Sequence, residues 1–167
     1  FEMSLQIERG LRLNHWDAAA PRGEGVFLMF CPKAHNPLVR LLGRTPTPFQ
    51  AVDMRLQCHR WMNDLDAELV IESVTPARLD AIAGDHDLTI VAAGKSDLCN
   101  LFERDASRSV YDTPRRRLTM VIATGRMSVD GCPFLPVKFE FLGTDGEVFF
   151  VPFLHRDRGP SWNIVIE

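Results

Sequence analysis

From Leu118 onward the apolar positions come in strand-length runs, Leu118–Thr124, Pro136–Leu142, Glu147–Leu154 and Trp162–Ile166. They are separated by Asp130-Gly131, Thr144-Asp145-Gly146 and Arg156–Pro160. Short apolar runs bounded by turn residues predict strands, and Asp145-Gly146 is a strong hairpin signal. Near the start of the chain, Val26–Cys31 and Leu38–Leu42 flank a Pro32–Pro37 turn and predict another hairpin. Gly43–Pro48 contains two prolines and predicts an extended connector. Phe1–Arg9, followed by Gly10, reads as the tail of a helix stopped by a C′ glycine, and Trp16 to Gly25 as a loop.

Between these regions the period is longer. Val52, Leu56, Cys58, Trp61, Met62 and Leu65 recur broadly at helical spacing, so Asp53 to about Asp66 is predicted as a helix with Asp53 as N-cap. Glu68–Val74 then reads as a strand, Pro76–Ala83 as a helix with proline in its first turn, and Asp87–Ala93 as a second strand. Such a βαβ unit carries parallel strands joined by a right-handed crossover. Ser96–Glu103 follows as a short helix. Helices gathered apart from a mostly antiparallel sheet make the fold class α+β.

The strand-to-turn stretch Asp87–Leu98, DLTIVAAGKSDL, ends in Gly94-Lys95-Ser96, which is how a phosphate-binding P-loop ends. That motif needs a further glycine five residues earlier, and the position is Thr89, inside the predicted strand. Gly94 is better read as a strand-end turn at a ligand crevice or as a plain structural turn. Arg115–Arg117 is a lone basic cluster with no aromatic platform beside it, and a solvated strand entry explains it.

Composition narrows the field. The chain has 167 residues, 46% of them hydrophobic, and a net charge of −3, so no global field recruits nucleic acid or an anionic membrane. No apolar run approaches the length of a membrane span, no signal-peptide pattern opens the chain, and a cytoplasmic location is expected. Cys31, Cys58, Cys99 and Cys132 contain no C-x-x-C pair, and His15, His35, His59, His86 and His155 show no i, i+4 spacing, so no metal site is expected. There is no G-x-S-x-G elbow, and Asp64 and Asp66 face different directions on a helix. Conventional side-chain catalysis is therefore not visible. The chain opens at Phe1 within a patterned segment and reads as a section of something longer.

The order of helix, proline connector, Ala51-Val52-Asp53-Met54-Arg55-Leu56, the βαβ pattern, Asp87–Lys95 and Leu101-Phe102-Glu103 resembles the styrene/indole monooxygenases, two-component flavoproteins. The likeness is densest over Pro48–Gly125 and weaker to Glu167. That resemblance implies a fragment of a longer flavoprotein whose 1–167 form one domain. Within it, 26–52 would be hairpin and connector, 53–103 a helix plus an inserted βαβ segment of the flavin-binding domain, and 118–167 the antiparallel substrate-binding sheet. It also implies FAD as cofactor, although the family's G-x-G-x-x-G turn and its C-terminal Gly-Asp segment are not in this sequence.

In that family a separate NADH-dependent reductase supplies reduced FAD, oxygen adds to the flavin, and the resulting flavin hydroperoxide epoxidises an aryl alkene. The cofactor carries the chemistry while the protein orients the substrate and keeps water out. The resemblance places flavin contacts at Arg55, Ala93 and Gly94, with no catalytic side chain. A small apolar aromatic substrate would meet Val26, Leu28, Phe49, Phe149, Val151 and Phe153, with Phe139 and Phe141 beside them. Plain core packing is the alternative for the phenylalanines, a surface ion pair for Arg55, and simple solvation for Lys95. Gly23 and Val26 fall where the styrene enzymes carry a polar aromatic residue and a histidine, which points to a different or bulkier substrate. A non-catalytic α+β module binding a small apolar ligand, an interaction domain and a homodimer stay open.

Overall fold

The computed structural model describes residues 2–32, 36–94 and 97–167; Phe1, His35, Lys95 and Ser96, together with the middle of the Pro32–Pro37 turn, lie outside them. In chain order the elements are α1 (Glu2–Gly10), β1 (Gly23–Phe30), β2 (Val39–Phe49), α2 (Met54–Asp64), α3 (Pro76–Gly84), a 3₁₀ turn (Asp97–Leu101), β3 (Thr119–Ala123), β4 (Pro136–Phe141), β5 (Glu147–His155) and β6 (Gly159–Ile166). The fold is mixed α+β. The strands form one sheet in the order β2-β1-β4-β5-β6-β3, in which β1 and β4 are parallel and every other pair is antiparallel. Two compact units emerge, Phe1–Leu65 with Arg116–Glu167, and Asp66–Arg115.

In the sheet-bearing unit, the end of β5 is stitched to the start of α2. Asp53 N–H donates to Leu154 O and Leu154 N–H to Ala51 O, both at 2.9 Å. Leu154 packs with Trp16 and Ala20 in a buried cluster, with Val52 and Leu56 of the helix approach against it. The loop before β1 is held there by polar bonds, because Gln50 Nε2 donates to the carbonyls of Trp16, Asp17 and Ala20 at 3.3–3.4 Å. Trp61 Nε1 donates to Leu13 O at 2.8 Å, so the indole's polar end is satisfied while its body packs.

Several expectations need correction. Helix α1 runs through Gly10 and stops two residues later, at Arg12 with φ 60°. Leu13 N–H bonds to Glu8 O and Arg12 N–H to Arg9 O, the paired bonds of a Schellman motif. The C′ position is therefore Arg12, and Gly10 is an ordinary helical residue. The Gly43–Pro48 connector is part of β2. It lies on a sheet edge, and the register jumps from Gly25↔Arg44 to Gly23↔Phe49, so Pro46 and Pro48 sit in a bulge where no ladder donor is needed.

The Asp130-Gly131 turn does not close a hairpin. Strand β3 pairs with β6 at the far edge, and the chain then crosses to place β4 beside β1. In the second unit, the βαβ expected over Glu68–Ala93 is present only as its helix, α3, with Thr75 as N-cap and proline in the first turn. Glu68–Val74 and Asp87–Ala93 form no strand. A parallel strand needs a neighbouring ladder, and among the described residues of this unit no strand offers one. Their apolar side chains stay exposed, Ile71 at 84% and Ile90 at 81%. The helix expected over Ser96–Glu103 is a 3₁₀ turn ending at Leu101.

Candidate functional site: an apolar face of the sheet

Side chains alternate across a pleated sheet, so the register decides which residues share a face. Val26, Leu28 and Phe30 of β1 stand beside Val137, Phe139 and Phe141 of β4, and Phe139 stands opposite Phe149 of β5. Val151 and Phe153 continue that face along β5. The rings form a chain: Phe30 stacks on Phe141 at 5.0 Å, Phe141 lies 6.3 Å from Phe139, and Phe139 meets Phe149 edge to face at 4.9 Å. These rings are only half-buried, apart from Phe30, which is exposed. A continuous band of aromatic carbon left in contact with solvent is unusual for packing alone.

Two hollows open along this face. One, of about 250 Å³, is lined by Val26, Phe49, Val137 and Phe139, with Thr45, Thr47 and Glu2 at its polar side. The other, of about 320 Å³, lies between Phe30, Leu38, Phe141 and Gly143. A larger cleft, about 580 Å³, sits on the opposite face beneath the segment that crosses from β3 to β4. Its lining includes Arg40, Arg126, Lys138 and Asp130. Arg126 and Asp130 pair with each other there and Lys138 with Glu140, and a neutral aryl ligand would take water from these ion pairs while adding no partner, so the smaller apolar hollow suits such a ligand better despite its size.

Val26 and Phe49, two of the expected substrate contacts, meet in that first hollow. Leu28, Phe149, Val151 and Phe153 share its face without lining either hollow. Val137, Thr45 and Thr47 were not expected. Val137 becomes a neighbour of Val26 only through the parallel β1–β4 pairing, which leaves no local signal in the sequence. Gly23 has a role as well: a Cβ placed there would lie 2.0 Å from the Phe49 ring, so the bare backbone is what lets Phe49 occupy its position.

Arg55 is held by Asp53. The Asp53 carboxylate is buried, with 6% of the residue exposed. It accepts from Arg55 Nε at 2.9 Å, from the Arg55 backbone N–H at 3.0 Å and from the Arg156 backbone N–H at 3.1 Å. The Arg55 guanidinium, more than any other neighbour, holds this carboxyl well below the usual carboxylate range, and the two backbone donors add to the effect. Beyond Asp53, the guanidinium reaches His155 Nε2 at 3.1 Å and Asp157 at 3.9 Å. Ala93 and Gly94 belong to the other unit, where Gly94 has φ 57° and nothing lies within 4 Å of a Cβ built on it.

Taken each within its own unit, the half-exposed Arg55 guanidinium is of a kind that suits phosphate oxygens, and the open turn at Gly94 leaves room for close backbone approach. Among the described residues no group of three His, Cys, Asp or Glu side chains could hold a metal ion, and no helix is long and apolar enough to cross a membrane.

Residues 94–167 match the family model described as "Styrene monooxygenase A putative substrate binding domain". Almost the whole chain, 99%, also aligns with styrene monooxygenase StyA of Pseudomonas fluorescens at 27% identity. The chain is thus similar to styrene monooxygenases over nearly its whole length. A second styrene monooxygenase StyA, from a Pseudomonas species, matches at the same 27% over the same 99% of the chain. The chain spans 39% of the length of each of these styrene monooxygenases. The matched segment contains β3 to β6, the strands that carry Phe139, Phe141 and Phe149 of the apolar face.

Proposed function

We propose that this chain is the substrate-binding section of an FAD-dependent monooxygenase that epoxidises or hydroxylates a small apolar aromatic compound. The observation that carries the reading is the apolar face of the sheet, with its chain of phenylalanine rings and a hollow lined by Val26, Phe49, Val137 and Phe139. A flat aryl group can lie against such rings with offset or edge contacts, each worth about 1 kcal/mol beyond simple burial. Nothing on the hollow's apolar side could act as acid, base or nucleophile toward a hydrocarbon.

The oxidation therefore falls to the cofactor: bound FAD, reduced by a separate NADH-dependent reductase, supplies activated oxygen. What this chain's residues contribute is orientation and a dry wall. Arg55, Ala93 and Gly94 are the groups that would contact the flavin. Of the 53–103 stretch assigned to the flavin side, the part beyond Leu65 forms a unit of its own. Its exposed apolar segments around Ile71 and Ile90 support its pairing with strands of a flavin domain.

The test is a pair of binding measurements on the chain with styrene and indole, using Phe139→Ala and Val137→Asp. Both variants should weaken binding, by about tenfold or more, through lost ring contact and a buried unpaired charge respectively. Unchanged affinity in both would remove the hollow from the reading.

A further inference from the structure

The cleft of about 580 Å³ on the sheet face opposite the phenylalanine chain is lined by four charged residues, Arg40, Arg126, Asp130 and Lys138, and three of them are paired. The register builds its floor: Phe27 of β1, Lys138 of β4, Phe150 of β5 and Ile164 of β6 stand in one row across four strands. The segment between β3 and β4 covers it, pinned where Trp162 Nε1 donates to Arg126 O at 3.0 Å. Arg126 pairs with Asp130 and Lys138 with Glu140, and the Lys138 ammonium also lies 4.9 Å from the centre of the Phe150 ring. Arg40 is different. It stands opposite Met29 on edge strand β2, and its guanidinium has no hydrogen bond or ion pair among the described residues. A planar fork of donors is thus left free at the rim of an apolar floor.

We infer that this cleft binds an aryl monocarboxylate, with the carboxylate on Arg40 and the ring system on the row of Phe27, Phe150 and Ile164. The volume falls within the range of small-molecule sites, roughly 300–1,000 Å³. Charge decides the class of ligand. A neutral ring takes water from two ion pairs and gains no partner, whereas a carboxylate completes the guanidinium that is left over and matches its fork with two parallel bonds. A second negative charge would meet Asp130 and Glu140 and find no further unpaired cation in the lining, so a phosphate gains less than a single carboxylate does. The spacing also suits an aryl acid. Arg40 stands beside Met29, two residues along β1 from Phe27 and so about 7 Å away by strand rise, which is within the length of an aromatic acid lying flat on the floor. This site is separate from the proposed oxidation of a neutral aryl compound, which uses the other face of the sheet.

Two ligands of one shape separate charge from ring burial: 2-naphthoate and its neutral amide, 2-naphthamide, titrated into the isotope-labelled chain at constant ionic strength and followed by NMR. Naphthoate should shift the Met29 and Ile164 side-chain signals and the Trp162 Nε1–H saturably, leave Val26 and Val137 unmoved, and bind about tenfold more tightly than the amide. Arg40→Gln should weaken naphthoate about tenfold, to the level of the amide, and leave the amide's own affinity unchanged. Asp130→Asn frees the Arg126 guanidinium and should tighten naphthoate about threefold. Arg40 and Asp130 are both exposed, so neither substitution disturbs the core. No saturable shift with naphthoate, equal binding of acid and amide, undiminished affinity in Arg40→Gln, affinity unchanged or weaker in Asp130→Asn, or shifts confined to the hollow of Val26 and Val137 would each overturn the site. None of these outcomes depends on a flavin.

Discussion

Asp53 joins more of this structure than any single apolar residue near the site. It caps α2, grips the Arg55 side chain and takes the Arg156 backbone N–H from the β5–β6 turn. Its carboxyl is held well below the usual carboxylate range, mainly because of Arg55. A depressed carboxyl contributes stability that is present above its unfolded pKa and is lost as pH falls through the folded value. Asp53→Ala should cost about 2 kcal/mol at pH 7, combining a lost cap with lost charge-assisted bonds. Asp53→Asn keeps a capping oxygen and loses the charge. In urea unfolding, the gap between wild type and Asp53→Asn should therefore narrow as pH drops from 7 to 3, and a gap constant over that range would exclude the charge pairing. The cap itself was legible, since Asp before a helical pattern has one common use. An ion pair at Arg55 was among the readings, but its partner was not, because a two-residue separation leaves the direction of a long side chain undetermined. His155 is a further case: its ring faces Arg55 only because β5 ends against the start of α2.

At the level of elements, the sequence was most informative where structure is local. The helix after Asp53, the helix after Thr75 and the β4–β5 hairpin all follow from caps and turn residues. It was least informative where pairing spans many residues, as in β1 with β4 and β3 with β6. Those partners are chosen by which apolar faces can be buried together, and no short motif encodes that choice. The end of α1 failed for a different reason: Gly10 looked like the left-handed cap, while the backbone places that conformation on Arg12. Arg12→Gly should therefore raise unfolding stability by about 0.5–1 kcal/mol, because a side chain at positive φ is removed. A destabilised variant would mean that the α1 terminus is wrongly described. Gly25 provides the opposite test. A Cβ there would lie 2.2 Å from Gly43 O and 2.6 Å from the Phe134 ring. Gly25→Ala should cost about 2 kcal/mol and loosen edge strand β2, seen as faster amide exchange at Arg40 and Leu42. Unaltered exchange would show that β2 is not held as tightly as its register implies.

On the scale of the molecule, the two units differ in how their apolar residues are used. The sheet-bearing unit pairs every strand, whereas Asp66–Arg115 leaves two apolar segments unpaired. Hydrogen exchange should therefore be near the unprotected rate over 68–74 and 87–93 and slow in β4, β5 and β6. Slow exchange in the first two segments would reveal a ladder that the structure does not contain. The α+β class and the apolar character of β4 and β5 were readable from the chain, but the site's shape was not. Val26 and Val137 belong to one hollow through a pairing across more than a hundred residues.

The central claim is that one face of this sheet receives an aryl ligand. The most direct measurement is a chemical-shift titration of the chain with styrene, reading the methyl groups of Val26 and Val137 and the rings of Phe49 and Phe139. Saturable shifts at those four, with Phe27, Phe150 and Ile164 on the opposite face unmoved, are the predicted result. Shifts confined to the opposite face, or none at styrene's solubility limit, would contradict it.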